Sequence, residues 1–184
     1  MSLSDAKKKD LFDYYSQNGF QQPTEKIANQ LNICHKTFFN RYGNKLNSIE
    51  IAWQYWQNVC REKWHTLMAH CNHSIEALVM TLYSIYDTRF DEPHYYKLTQ
   101  THRKYLDPNS FFYSAIRTIL DKGKKCFHIQ ENLNTETYIT FLLNNVFLID
   151  IEEEKRPEII KFIIFPALTE RGLELFMETP FNWI

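Results

Sequence analysis

Apolar residues recur at spacings of three and four along nearly the whole chain, the period of helices with one buried face. Within residues 24–49, TEKIANQLNICHKTFFNRYGNKLNSI, the period is interrupted and restarted. Ile27, Ala28 and Leu31 mark a first short helix, with Thr24 as its N-cap and Glu25 in its first turn, where the helix dipole favours a carboxylate. Asn32 then breaks the run, because Asn tolerates a left-handed conformation and can end a helix, and Ile33 returns to the core. A second helix is expected from Cys34 or His35. Its Phe38 and Tyr42 stand four apart and point inward, which leaves His35, Lys36, Thr37, Asn40 and Arg41 on the other faces. Two short helices in this register, the second with a polar and mostly donor-bearing outer face, form a helix-turn-helix pattern.

Downstream the helices lengthen. Asn44 is placed to cap a helix running from Lys45 to about His70, with a buried stripe of Ile49, Trp53, Trp56, Cys60, Trp64 and Leu67. Further helices are predicted near 74–88, 94–105 and 108–122, the last opened by Pro108 and stopped by Gly123. Residues 135–152 and 157–177 are apolar on nearly every side. The first carries Ile139, Leu142, Leu143, Val146, Phe147, Ile149 and Ile151, broken by Asn144 and Asn145. The second opens at Pro157, carries Ile160, Ile163 and Ile164, and should break after Phe165 because Pro166 removes a backbone hydrogen bond. A helix that is apolar all round must be buried all round. The expectation is a homodimer joined through a four-helix bundle, with Ile139, Leu142, Leu143, Val146, Phe147, Ile160, Ile163 and Ile164 at the interface. The alternative is that these side chains are central core.

Four Gly and six Pro, no hairpin signal, no period-two alternation and no internal repeat make the protein all-α, with about nine helices. The division expected is a three-helix module over residues 1–46 and a helical domain over 47–184. No run approaches the roughly 18 apolar residues of a membrane span, and the start lacks the apolar core of a signal peptide, so a cytoplasmic protein is expected. Cysteines 34, 60, 71 and 126 form no Cys-x-x-Cys pair and fit reduced packing residues. The net charge of −1 disfavours a nucleic-acid partner until its distribution is considered. Residues 1–49 carry seven Lys/Arg against four Asp/Glu, a balance of +3, and the rest carries −4. Positive charge therefore gathers on the helix-turn-helix, whose Lys, Arg, Asn and Thr can meet base edges and phosphates.

The order Asn18-Gly19-Phe20, then Thr24 to Ala28 as Thr-x-x-Ile-Ala, then Lys36-Thr37-Phe38-Phe39-Asn40-Arg41-Tyr42-Gly43-Asn44-Lys45 resembles the DNA-binding half of TetR-family transcriptional regulators. Cys34 stands where that family has a capping Ser, Asn32 where it has Gly, Lys36 where it has a small residue, and Phe39 where it has a Tyr. Residues 123–133 loosely resemble the segment before the family's last two helices. The resemblance implies a regulator of transcription that contacts double-stranded DNA through Thr24, His35, Lys36, Thr37, Asn40, Arg41 and Lys45, with Lys45 on a phosphate. It also implies a carboxy-terminal pocket for a small-molecule effector. A dimer would set its recognition helices about 34–36 Å apart and read a pseudo-palindromic operator.

Aromatic side chains crowd the middle helices and suit an apolar or aromatic effector, with Trp64, Tyr83, His102, Phe112 and Arg117 as pocket candidates. His70, Cys71 and His73 include zinc-ligand types but no diagnostic spacing, and a helix end also collects such residues as caps, so no metal is assigned. There is no Gly-rich phosphate loop, no His-Glu-x-x-His and no Gly-x-Ser-x-Gly, so neither enzymatic activity nor a cofactor is expected. The expectation is a homodimeric repressor released from its operator by an effector. The alternative is a helical small-molecule-binding or protein-interaction module with a vestigial DNA-reading head.

Overall fold

The computed structural model describes residues 3–149 and 152–179, and among them ten α-helices and no strand. The first three, α1 (Asp5–Asn18), α2 (Thr24–Gln30) and α3 (His35–Tyr42), make the amino-terminal module. Leu11, Tyr14 and Tyr15 of α1 close over Ile27 and Ala28 of α2 and Phe38 and Tyr42 of α3 to give it a core. Asn32 takes φ 53°, and the Ile33 amide donates to Ala28 O at 3.0 Å, the expected turn. Thr24 differs from expectation. Pro23 is the N-cap of α2 and Thr24 its first helical residue, because proline's fixed φ suits the extended residue before a helix.

Helix α4 (Lys45–Met68) leaves the module with Asn44 Oδ1 accepting the Asn47 amide at 2.9 Å. It lies along α1, and the Tyr15 hydroxyl meets Ser48 Oγ at 2.7 Å in a buried contact that fastens the two. The remaining helices are α5 (Ser74–Asp91), α6 (Pro93–Thr101), α7 (Phe111–Lys125), α8 (Thr135–Leu148), α9 (Arg156–Ile164) and α10 (Glu170–Glu178). Helix α7 packs between α5 and α8, and Phe147 sits among Tyr105, Tyr96 and Phe112 with ring centroids 4.5, 5.1 and 5.4 Å away. Asn144 tolerates this apolar setting because it accepts the Tyr105 hydroxyl at 3.1 Å. No helix among the described residues is long and apolar enough to cross a membrane.

Several boundaries depart from the sequence expectation, among them α6, which ends at Thr101 rather than 105, and α5, which runs on to Asp91. Ser110, not Pro108, opens α7, its hydroxyl accepting the Tyr113 amide, while residues 104–106 form a separate 3-10 turn. Gly123 does not stop α7 but lies inside it. The chain folds back there, the His128 and Ile129 amides both donating to Gly123 O, and a Cβ on Gly123 would stand 2.5 Å from Ile129 Cγ1. Close approach, rather than left-handed backbone, explains that glycine. The same returning segment forms an antiparallel bridge from Ile129 to Leu168 and runs so near α10 that a Cβ on Gly172 would meet His128 O at 2.0 Å. Helix α8 ends at Leu148, short of the expected 152, and Ile151 lies outside the described residues. The segment expected over 157–177 is α9, a 3-10 turn over Phe165–Ala167 holding Pro166, and α10 capped by Thr169.

Candidate nucleic-acid interface and effector cavity

Helix α3 buries Phe38 and Tyr42 and exposes His35, Lys36, Asn40 and Arg41, with Thr37 half-buried. Lys36 and Asn40 are one turn apart, as are Thr37 and Arg41, so the outer surface presents two polar rows. Two of the expected DNA-contacting hydroxyls are used locally. Thr24 Oγ1 lies 3.1 Å from His35 Nε2, joining the start of α2 to that of α3, and Thr37 Oγ1 lies 3.1 Å from Cys34 Sγ. The Thr37 hydrogen bond also holds the exposed Cys34 thiol below its ordinary pKa. Thus Cys34 serves as the N-cap of α3 through its own backbone and hands its sulfur to Thr37. Phe39, 43 % exposed, sits edge-on to His35 beside the polar rows. Lys45 is the first residue of α4, where the helix dipole disfavours a cation unless an anion is near.

Behind the module lies a cavity of about 530 Å³ between α4, α5 and α7. Of the five pocket candidates, Trp64, Tyr83 and Phe112 line it. His102 and Arg117 do not. His102 is exposed at the end of α6, and Arg117 is exposed on the outer face of α7, paired with Glu136. Trp64 is oriented by its indole N–H, which donates to Thr81 Oγ1 at 2.8 Å. The cavity wall also holds Trp56, Cys60, Met80 and Phe111, and burial pushes the Cys60 thiol up to about 12. Most telling is Phe12, a half-buried residue of α1 that lines the cavity although it belongs to the module. It stacks on Tyr95 at 5.2 Å, and its carbonyl accepts the Tyr95 hydroxyl at 3.2 Å. Sequence reasoning missed Phe12 because it falls off the Leu11–Tyr14–Tyr15 stripe that marks the buried face of α1.

The eight side chains expected at a dimer interface are all inside the single protomer. Ile139, Leu142, Leu143, Val146, Phe147, Ile160, Ile163 and Ile164 are each at most 1 % exposed. They are core and do not form an interface. Helix α8 is apolar all round because α5 and α7 of its own chain cover it, and the Tyr138 hydroxyl ties it to α9 through Ile163 O at 2.5 Å. What α8 and α9 leave at the surface is Phe141, Leu148 and Phe162, the last 76 % exposed. In the candidate metal cluster, His73 Nδ1 caps α5 by accepting the Glu76 amide at 3.1 Å. Among the described residues no three His, Cys, Asp or Glu side chains gather into a metal site.

A three-helix module with an exposed second helix of the turn, set on a helical domain with a cavity, recurs in solved structures. The chain is similar to the ketosteroid transcriptional regulator KstR2 of Mycobacterium tuberculosis, with a TM-score of 0.60 at 8 % identity, covering 89 % of this chain and 96 % of that one. It is similar also to the transcriptional regulator FadR from Bacillus subtilis in complex with stearoyl-CoA, with a TM-score of 0.63 at 13 % identity over 94 % and 97 % of the two chains. At such identities the likeness establishes the fold, which is the one the TetR-family resemblance implied. No protein-family model matches the chain, and no curated protein matches its sequence.

Proposed function

We propose that this protein is a DNA-binding transcriptional regulator whose grip on DNA responds to a small molecule in the α4–α5–α7 cavity. The observation that carries this is Phe12. The helix that builds the head module also walls the cavity, so an occupant that displaces Phe12 moves α1, and α1 shares its core with the recognition helix. Lys36, Asn40 and Arg41 supply side chains able to reach base edges, and Lys45 stands where a phosphate would offset the helix dipole. The protein acts as a cytoplasmic homodimer on a pseudo-palindromic operator, and release of that operator by the effector makes it a repressor. Phe141, Leu148 and Phe162, the apolar side chains that α8 and α9 leave exposed, are its candidate dimer contacts. It carries out no catalysis and needs no cofactor.

Selection from random duplex DNA with the full chain tests this. The expected result is an enriched inverted repeat whose binding weakens steeply as salt rises, because phosphate contacts release counterions. Failure to enrich any sequence at low salt, by a protein shown to be dimeric, overturns it and favours a helical small-molecule-binding or protein-interaction module.

A further inference from the structure

We propose that the cavity takes a mainly apolar occupant that carries no negative charge. This deepens the effector role above and rests on it. The inner wall is built from Trp56, Trp64, Leu67, Met80, Phe111 and Phe112, so the body of the occupant is hydrocarbon or aromatic. Charged groups lining the cavity then decide which polar group it bears. Among the described residues of the lining, Lys63 is the one cation, against three carboxylates, Asp87, Asp91 and Glu92. Lys63 Nζ is already committed to Asp91, 3.2 Å away. Asp87 is held by the buried Arg156 at 3.1 Å. Glu92 adds a carboxyl, half-buried at the α5–α6 corner, that burial already pushes above its ordinary pKa.

An anionic head group entering here would meet Glu92 and two carboxylates whose cations are already engaged. To gain a counter-ion it would have to break the Lys63–Asp91 pair and leave Asp91 without its partner. A hydroxyl avoids both costs, and an ammonium gains a carboxylate. Asp87 and Asp91 are more than half exposed at the cavity mouth, so solvent screens them, and among occupants that share one apolar body the charge difference amounts to a preference of several-fold, to which the half-buried Glu92 contributes. The inference therefore separates this cavity from one built for an acyl-CoA, whose phosphates carry several negative charges.

Trp56 and Trp64 on the wall provide the readout, their fluorescence in the full chain titrated with decanol, decylammonium, decanoate and decanoyl-CoA, which share one ten-carbon body. Saturable quenching is expected from the alcohol and the ammonium, with the two anionic probes about three- to tenfold weaker. Glu92→Gln, at a helix cap that makes no side-chain cap bond, should strengthen decanoate by roughly two- to fivefold and leave decanol unchanged. The comparison among probes in the unaltered protein does not depend on that variant. Tighter binding of decanoate or decanoyl-CoA than of decanol overturns the inference, as does absence of saturable binding by both decanol and decylammonium, and neither result touches DNA selection. Conversely, a protein that selects no DNA yet prefers decanol to decanoate removes the regulator role and leaves the ligand class standing.

Discussion

The head module and the carboxy-terminal body use aromatic and polar residues in opposite ways. In the module a small core of Leu11, Tyr15, Ile27, Phe38 and Tyr42 holds three short helices, while the longest polar side chains of α3 are spent on the outside. In the body, many polar groups are drawn inward and partnered, as with Gln57 Oε1 accepting the Phe111 amide at 2.6 Å and Trp53 Nε1 donating to Thr99 at 2.9 Å, although the Tyr83 and Tyr86 hydroxyls and Arg156 Nε are buried without a hydrogen bond among the described residues. The face of α3 turns its long donors to solvent, whereas the body turns most of its polar groups to partners of its own. Substitutions should therefore separate the two regions, with stability set by the body and recognition by the face of α3.

The largest effect is expected from Phe147→Ala. This ring is 1 % exposed and packed on three aromatic neighbours, so its loss should cost about 3–5 kcal/mol in urea denaturation. A cost below about 1 kcal/mol would erase the contrast by showing that the body tolerates voids. Asn40→Ala comes next. Unfolding free energy should stay within about 0.5 kcal/mol of the parent, while discrimination at one base position falls by about 1–3 kcal/mol in competition binding. Uniform weakening across all sequences would instead make Asn40 a phosphate contact.

The smallest effect tests the seam where the linker returns to the body. His128 is buried, with Nδ1 2.8 Å from Ser74 Oγ, and burial, aided by Arg171 and His73, holds its pKa below the ordinary 6.5. The unfolded chain then takes up this proton at higher pH than the folded one does. The neutral imidazole's contribution to stability is thus present above pH 6.5 and is lost as pH falls below it toward the folded pKa. Thermal midpoints measured from about pH 7.5 down to about pH 5.5 should drop more for the parent than for His128→Gln. Equal slopes would mean that His128 is not the titrating group.

The same contrast explains what could be read from the amino-acid order. The module was legible because α3 is short and its faces differ sharply, with Phe38 and Tyr42 against Lys36, Asn40 and Arg41, and because Asn32 marks its own turn. The apolar character of α8 was legible too, but periodicity states that a side chain is buried without stating by what. Ile139 and Val146 therefore suited a dimer and a protomer core equally well until α5 and α7 were seen to cover them. Gly123 was misplaced for a related reason, since the residue that crowds it, Ile129, comes from a fold-back with no local pattern. Pocket membership was the least legible. Phe12 reaches the cavity from another module, and Arg117 faces away from it toward Glu136.

Phe12 belongs to the head by chain and to the cavity by position, and thermodynamic linkage makes that sharing reciprocal. On the proposed regulator reading, whatever factor an occupant takes from operator affinity, the operator takes from the occupant's affinity. DNA would then act as a competitor of the small molecule across the thickness of α1. A cell carrying many copies of the operator would need proportionately more effector to silence the same number of protein molecules.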